Sequence, residues 1–218
     1  PVPGPFNYSL LNNRAVEATP HPVLCLLNND IEILDGGWLR EMVSQAIRPE
    51  VGAVGARLYY PDGRIQHDGV ILGVQGCAGH FNKLLSPSEP GPKSHSDLTR
   101  NFSAVTAACL VVERSKYLEV RGLDEGTFAV AFNDVDFCLK LFAAGYRNLR
   151  TPFAELIHHE SASRGEAEKT QAGLKRAMKE TISLDAKWHD LLEFDPAYNP
   201  NLTLSDEDGS IAFPPRLE

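Results

Sequence analysis

Residues 23–27 (VLCLL), 51–60 and 104–112 are nearly unbroken apolar runs of strand length, bounded by proline, asparagine, aspartate or charged residues. Half-buried strands alternate apolar and polar side chains. A run apolar throughout fits a strand buried on both faces, with helices packed on each side of the sheet. The helices are legible too. Between Trp38 and Arg48 the apolar residues fall at 38, 39, 42, 43, 46 and 47, a stripe opposite Arg40, Glu41, Ser44 and Gln45 that Pro49 stops. A helix is expected over residues 6–18. Another starts with Asn133 as its N-cap and is closed by Gly145. A long amphipathic helix over 166–192 is expected to set Leu174, Met178, Thr181, Trp188 and Leu192 on one face.

Between these lie shorter elements. Tyr60-Pro61-Asp62-Gly63 carries proline and glycine where a tight turn wants them, which makes residues 64–72 a hairpin partner of the second strand. Residues 86–96 read as a loop, and residues 146–149 and 154–158 as two short strands. Residues 1–218 form one α/β domain on this reading, with 195–218 as a tail wrapping the surface.

A 43% hydrophobic share is enough for a real core and excludes a disordered or fibrous chain. The 29 acidic residues outnumber the 21 basic ones, for a formal charge of −8. Nucleic-acid binding needs clustered Lys and Arg, so it is not expected. An anionic ligand is compatible with this charge if a divalent cation accompanies it. No stretch reaches the roughly 20 apolar residues of a membrane span, and Pro1-Val2-Pro3-Gly4-Pro5 has no signal-peptide pattern. The cysteines at 25, 77, 109 and 138 form no CxxC, which suits a reducing, cytoplasmic location.

Three polar clusters could carry chemistry. Asn28-Asn29-Asp30 follows the first strand, and in open α/β sheets ligands collect at the carboxyl ends of strands. A hard cation such as Mn²⁺ or Mg²⁺ takes a carboxylate there plus phosphate oxygens of its ligand; the plainer reading is an Asx-rich turn. Asn133-Asp134-Val135-Asp136 opens a helix, where carboxylates also act as simple caps. Two aspartates two residues apart point to different sides. Asp136, four residues before Lys140, suggests a solvent-side ion pair, which leaves Asp134 as the better candidate base. His158 and His159 end a strand and point to opposite sides, so at most one joins a metal site. The glycines of residues 73–79 do not match GxGxxG, and His67 and Asp68 lack a GxSxG nucleophile, so both are set aside.

The segments FNYSLLNNRAVEA, LLNNDIEILDGGWL, VGAVGARLYYPDGRIQHDGVILG, SAVTAACLVVER, FNDVDFCLKLFAAGYRNLRTPFAELIHHESASRG and DPAYNPNL follow one another as in family 2 glycosyltransferases. The chain resembles the bacterial polysaccharide or O-antigen type over nearly its whole length. The resemblance implies a GT-A-like fold with a mixed, mainly parallel sheet, a nucleotide-sugar donor, Mn²⁺ or Mg²⁺, and inversion at the anomeric carbon. It implies an acceptor hydroxyl on a glycan or lipid-linked glycan, and peripheral membrane association of the full-length protein. Asp30 falls at the last acidic position of the DxD motif, with Asn28 in place of the first. Asn28, Asn29, Asp30 and Thr106 are the expected donor contacts. Asp134, with Asp136 beside it, falls at the catalytic-base motif. His158 falls at a metal-ligand position, with His159 the second choice. The family's N-terminal nucleotide-binding segment has no counterpart, so the domain is expected to be N-terminally truncated. Two rivals remain: a silent glycan- or protein-binding module on the same fold, and a metal-dependent phosphohydrolase, which would need a denser Asp/His cluster.

Overall fold

The computed structural model describes residues 4–87, 97–159 and 170–216. Nine strands and five helices follow one another as α1 Tyr8–Glu17, β1 Val23–Leu27, β2 Ile31–Ile33, α2 Trp38–Ala46, β3 Val51–Tyr59, β4 Ile65–His67, β5 Val70–Leu72, β6 Ala78–His80, β7 Arg100–Phe102, β8 Cys109–Glu113, α3 Arg114–Glu119, α4 Asn133–Ala143, β9 Arg147–His158 and α5 Gln171–Glu193. The central sheet runs β1-β8-β3-β9-β2, with β4 added on β3 and β7 on β9; β5 and β6 form a small second sheet.

The mixed α/β fold agrees with the sequence, but parallel pairing does not dominate. Only β3 with β9 pairs parallel among the described ladders, while β1–β8, β3–β8, β2–β9, β3–β4 and β7–β9 are antiparallel. Of these antiparallel pairs only β3–β4 is a hairpin, while the others join strands far apart in sequence. Since β1 and β3 both run against β8, the carboxyl ends of β1 and β9 reach the same sheet edge.

β3 is the fully buried centre the sequence calls for. On one side, Trp38, Met42 and Ala46 of α2 pack against Val54, Ala56 and Leu58; on the other, Phe137, Leu139 and Leu141 of α4 meet Ala53 and Leu110. Each buried large side chain is worth roughly 1.5–3 kcal/mol relative to exposure. Asn148 ties the layers: its Oδ1 accepts from Ala53 N–H, and its Nδ2 donates to the Ser103 and Cys138 carbonyls.

Several expectations change. β1 is buried on one face only, where Leu24 and Leu26 join the core, and Cys25 and Leu27 on the other face are exposed. The third strand shrinks to β8; residues 104–108 are a non-strand segment apart from one bridge, Val70 to Ala104. The two short strands fuse into β9 through a bulge opposite Ala56 and Arg57. Pro152 sits in this bulge, where its missing N–H costs no ladder bond, and Phe153 is exposed. Asn133 is the first residue of α4, and its N-cap is Phe132. In α5 the inward residues are Gly173, Glu180, Leu184 and Leu192, while Leu174 and Met178 are exposed. Residues 88–96 and 160–169, which include most of the expected loop and the expected start of the long helix, lie outside the described residues. Residues after α5 bond back onto the domain: buried Asp195 accepts from Leu72 N–H and Ser103 Oγ, and Glu207 from His80 N–H.

A glycine in β3 sets the approach of residues 104–108 to the sheet. A Cβ on Gly55 would stand 2.5 Å from Val105 Cβ. Gly55→Ala should therefore destabilise the fold by about 1–3 kcal/mol, as overpacking does, measured as a lower urea midpoint with an unchanged m-value.

Candidate functional site

The β2–β9 register sets Ile31 opposite His158, which brings Asp30 beside the histidine. His159 N–H then donates to the Asp30 carbonyl at 2.9 Å. The His158 ring is buried, with Nε2 3.2 Å from Asp30 Oδ1 and 3.2 Å from Asn28 Nδ2. On its far side Nδ1 lies 2.7 Å from Gln66 Oε1, and Gln66 Nε2 donates to the His158 carbonyl at 3.4 Å. That second bond orients the amide with its oxygen toward the ring, so Nδ1 carries the proton in the neutral imidazole. Nε2 then presents a lone pair. Asn28 Nδ2 can donate to it, but Asp30 Oδ1 is another acceptor. This oxygen is buried and has no hydrogen-bond partner among the described residues. Two acceptors 3.2 Å apart call for something positive: a proton on Nε2, or a metal cation. Asp30 and His158 therefore suit a divalent ion whose remaining ligands are oxygens of a bound phosphate. Among the described residues no group of three or more His, Cys, Asp or Glu side chains could hold an ion alone.

Asp134 comes to the same edge from α4. Its Oδ2 accepts from Ala107 N–H at 3.0 Å and its Oδ1 from Val135 N–H at 2.9 Å, and the side chain is only half-buried. The segment it grips is held on every side. Tyr8 Oη donates to the Ala107 carbonyl, Asn28 N–H to the Ala108 carbonyl, and Thr106 N–H to His67 Nε2. Asp134 and Asn28 thus anchor on neighbouring residues. The start of α4 is strained: Phe132 has φ +57°, a left-handed conformation costly for a non-glycine residue. Buried Glu180 of α5 offsets it by accepting from Val130 and Ala131 N–H, while Asn133 Nδ2 donates to the Val130 carbonyl.

The other expected site residues lie elsewhere or do other work. Asp136 is fully buried, not at the solvent side. It accepts from Trp188 Nε1 at 2.9 Å and pairs with Lys187 at 2.6 Å and Lys140 at 3.6 Å, which locks α4 to α5. Asn29 is exposed, and His159 pairs with Glu32 at the surface, 3.0 Å away. Thr106 is half-buried and its Oγ1 accepts from Ala108 N–H. Sequence reasoning missed Gln66 and Glu180, and it set His67 aside as a nucleophile partner. Glu180 carried no signal, because a glutamate on an amphipathic helix reads as solvent-facing charge.

His67 is fully buried and packs edge-on against His80, with the two Nδ1 atoms 2.7 Å apart. Burial pushes its pKa well below the ordinary 6.5, with His80, Arg150 and His158 adding repulsion. The unfolded chain therefore takes up a proton that the folded chain refuses. The stability tied to the neutral ring is complete above pH 6.5 and is lost as pH falls below it. In His67→Gln, the decline in stability between pH 7 and 5 should be shallower than in wild type by up to one proton's worth of slope, read from urea titrations across that range.

No family model matches the chain. Protein y4gI of Sinorhizobium fredii is 50% identical over 212 residues, covering 96% of this chain but 23% of that protein. The O-antigen biosynthesis protein RfbC of Myxococcus xanthus is 42% identical over 213 residues, covering 94% of this chain and 16% of that protein. The chain thus spans less than a quarter of these relatives. An N-acetylglucosaminyl-diphospho-decaprenol L-rhamnosyltransferase of Mycobacterium tuberculosis is 30% identical over 134 residues, 54% of this chain and 40% of that protein. Among solved structures, GalNAc-T7 with UDP, GalNAc and Mn²⁺ superimposes with a TM-score of 0.59 at 13% identity, over 92% of this chain and 39% of that one. The mannosyltransferase PcManGT of Pyrobaculum calidifontis, in complex with GDP-Man and Mn²⁺, gives 0.50 at 13% identity, over 85% and 49%. These two likenesses establish a GT-A-like fold. No helix among the described residues is long and apolar enough to cross a membrane.

Proposed function

For this GT-A-fold domain, related in sequence to family 2 glycosyltransferases, we propose an inverting transfer of a sugar from a nucleotide-diphosphate donor to a hydroxyl of a glycan or lipid-linked acceptor, in cell-surface polysaccharide synthesis. The observation that carries the reading is the pair of acceptor atoms, Asp30 Oδ1 and His158 Nε2, that face each other 3.2 Å apart at the edge where Asp134 sits. The named relatives and the Mn²⁺-bound neighbours lend support. A cytoplasmic location goes with the reading and suits the four free cysteines.

Asp30 and His158 would hold Mn²⁺ or Mg²⁺, with Asn28 and Thr106 beside the donor diphosphate. Bound there, the cation supplies Lewis-acid stabilisation of charge on the leaving diphosphate. Gln66 fixes the His158 ring and its tautomer, the outer-sphere role that metal-bound histidines need. Asp134, oriented by the Ala107 and Val135 amides, takes the proton of the acceptor hydroxyl. The hydroxyl oxygen bonds to the anomeric carbon as that carbon's bond to the diphosphate oxygen breaks on the opposite face. The products are an inverted glycoside, a nucleoside diphosphate and a protonated Asp134.

A second reading, a silent binding module, is favoured by Asn28 in place of a DxD aspartate and by the lack of a third ligating side chain among the described residues. A thermal-shift series with UDP, GDP or dTDP, with and without Mn²⁺, separates the two. Metal-dependent stabilisation by one nucleotide, abolished in His158→Ala, supports the transferase; no response to any of them supports the module. Gln66→Leu should weaken Mn²⁺ binding about 10- to 100-fold, as loss of an outer-sphere partner does. In the full-length protein, Asp134→Asn should lower kcat roughly 10²–10⁴-fold with donor affinity little changed. Near-normal turnover in that variant removes Asp134 from the role.

A further inference from the structure

β9 carries His158 at its carboxyl end; at its amino end, a full 12-residue strand away, lies a second cavity of about 490 Å³. That is within the range of roughly 300–1,000 Å³ seen for small-molecule sites. Its lining includes Arg100, Arg147, Asn101, Phe142, Pro196 and Ala197. It shares no residue with the Asp30–His158–Asp134 edge.

Arg100 is the unusual member. It is half-buried, with its guanidinium stacked 5.2 Å from the Phe102 ring centre and 5.7 Å from that of Phe81. Among the described residues it makes no ion pair with a carboxylate. The nearby buried acid is already engaged: Asp68 accepts from Arg57 Nε at 3.1 Å, Arg150 Nε at 3.0 Å and Asn82 Nδ2 at 2.9 Å. Arg150 lies against Phe102 as well, at 5.9 Å. Arg57 also reaches Glu155 at 3.5 Å and Asp97 at 3.9 Å, so the carboxylates around the cluster are taken up by Arg57 and Arg150. Burial lowers the Arg100 pKa, with Asp68 only partly opposing it, so the cation gains from an added anion.

Arg100 lines the cavity, and its planar five-donor fork is a shape that takes an oxyanion through two parallel hydrogen bonds. At the rim, Arg147 pairs with Glu50 at 3.1 Å. Part of the lining is apolar. Phe142 is 39% exposed there, beside Pro196 and Ala197. An aromatic face next to an ion-pairing fork matches a sugar ring with its C–H face on Phe142 and an acidic group on Arg100. We propose that this cavity binds a hexose-sized ring bearing an oxyanion, a sugar phosphate or a uronic acid, separately from the site described above.

The test is a calorimetric titration with glucose 1-phosphate, glucuronate, neutral glucose and inorganic phosphate. At least one anionic sugar should bind saturably, and at least about tenfold more tightly than glucose or inorganic phosphate. Which anionic sugar binds tells phosphate from carboxylate recognition. Arg100→Gln should weaken that binding tenfold or more while any Mn²⁺-dependent nucleotide stabilisation persists. Phe142→Ala, at a partly exposed position, should weaken the sugar ligand but not inorganic phosphate. Equal binding of glucose and the anionic sugars, no binding of either anionic sugar, or full retention in a folded Arg100→Gln overturns the proposal. None of these results bears on the Asp30–His158 reading.

Discussion

Two acceptor atoms pressed together inside a fold repel unless something positive lies between them, and Asp30 Oδ1 and His158 Nε2 are such a pair. The contact is not incidental. It follows from the β2–β9 register, from the turn that carries the chain from β1 to β2, and from Gln66, which reserves the far ring nitrogen for a proton. A proton on Nε2 would relieve the repulsion, as would the divalent cation of the proposed function, so the two would compete for one nitrogen. Much of the surrounding architecture keeps this pair in place.

The same edge depends on residues 104–108, which lie between the small sheet and β8 without being a strand. Their amides and carbonyls take Asp134, Tyr8, Asn28 and His67 from four different parts of the chain. A rigid segment gripped in this way fixes a carboxylate on α4 relative to a turn after β1. The strain at Phe132 is tolerated because Glu180 and Asn133 satisfy the loop before it. Asp136 serves that rigidity: with Lys187 and Trp188 it pins α4 to α5.

Where burial was uniform the sequence was readable. The apolar run of β3 appears as expected, and the α2 stripe in part: Trp38, Met42 and Ala46 are buried, while Leu39 and Ile47 are exposed. Where pairing partners decide, it was not. β1 reads as doubly buried but keeps one bare face, since no local pattern says which faces of a strand another layer covers. Residues 146–149 and 154–158 read as two strands yet belong to one strand with a bulge. The α5 face was misread because an inward glutamate, Glu180, looks like solvent-facing charge until the loop it caps is known. Asp136 was misread in the same way, since the Lys187 and Trp188 that claim it come from a distant helix. Asp30, Asp134 and His158 stood out as polar residues at element ends, but Gln66 had no signature because its role exists only across a sheet.

The central claim is that His158 Nε2 is the nitrogen a divalent cation seeks. The most direct measurement is a ¹⁵N NMR titration of the histidine side chains with Mn²⁺ in the presence of the best nucleoside diphosphate. Sub-stoichiometric Mn²⁺ should broaden the His158 Nε2 resonance first, while exposed His189, paired with Asp185, stays sharp. Broadening of His189 ahead of His158, or an Nε2 signal at His158 that Mn²⁺ leaves untouched, would contradict the account.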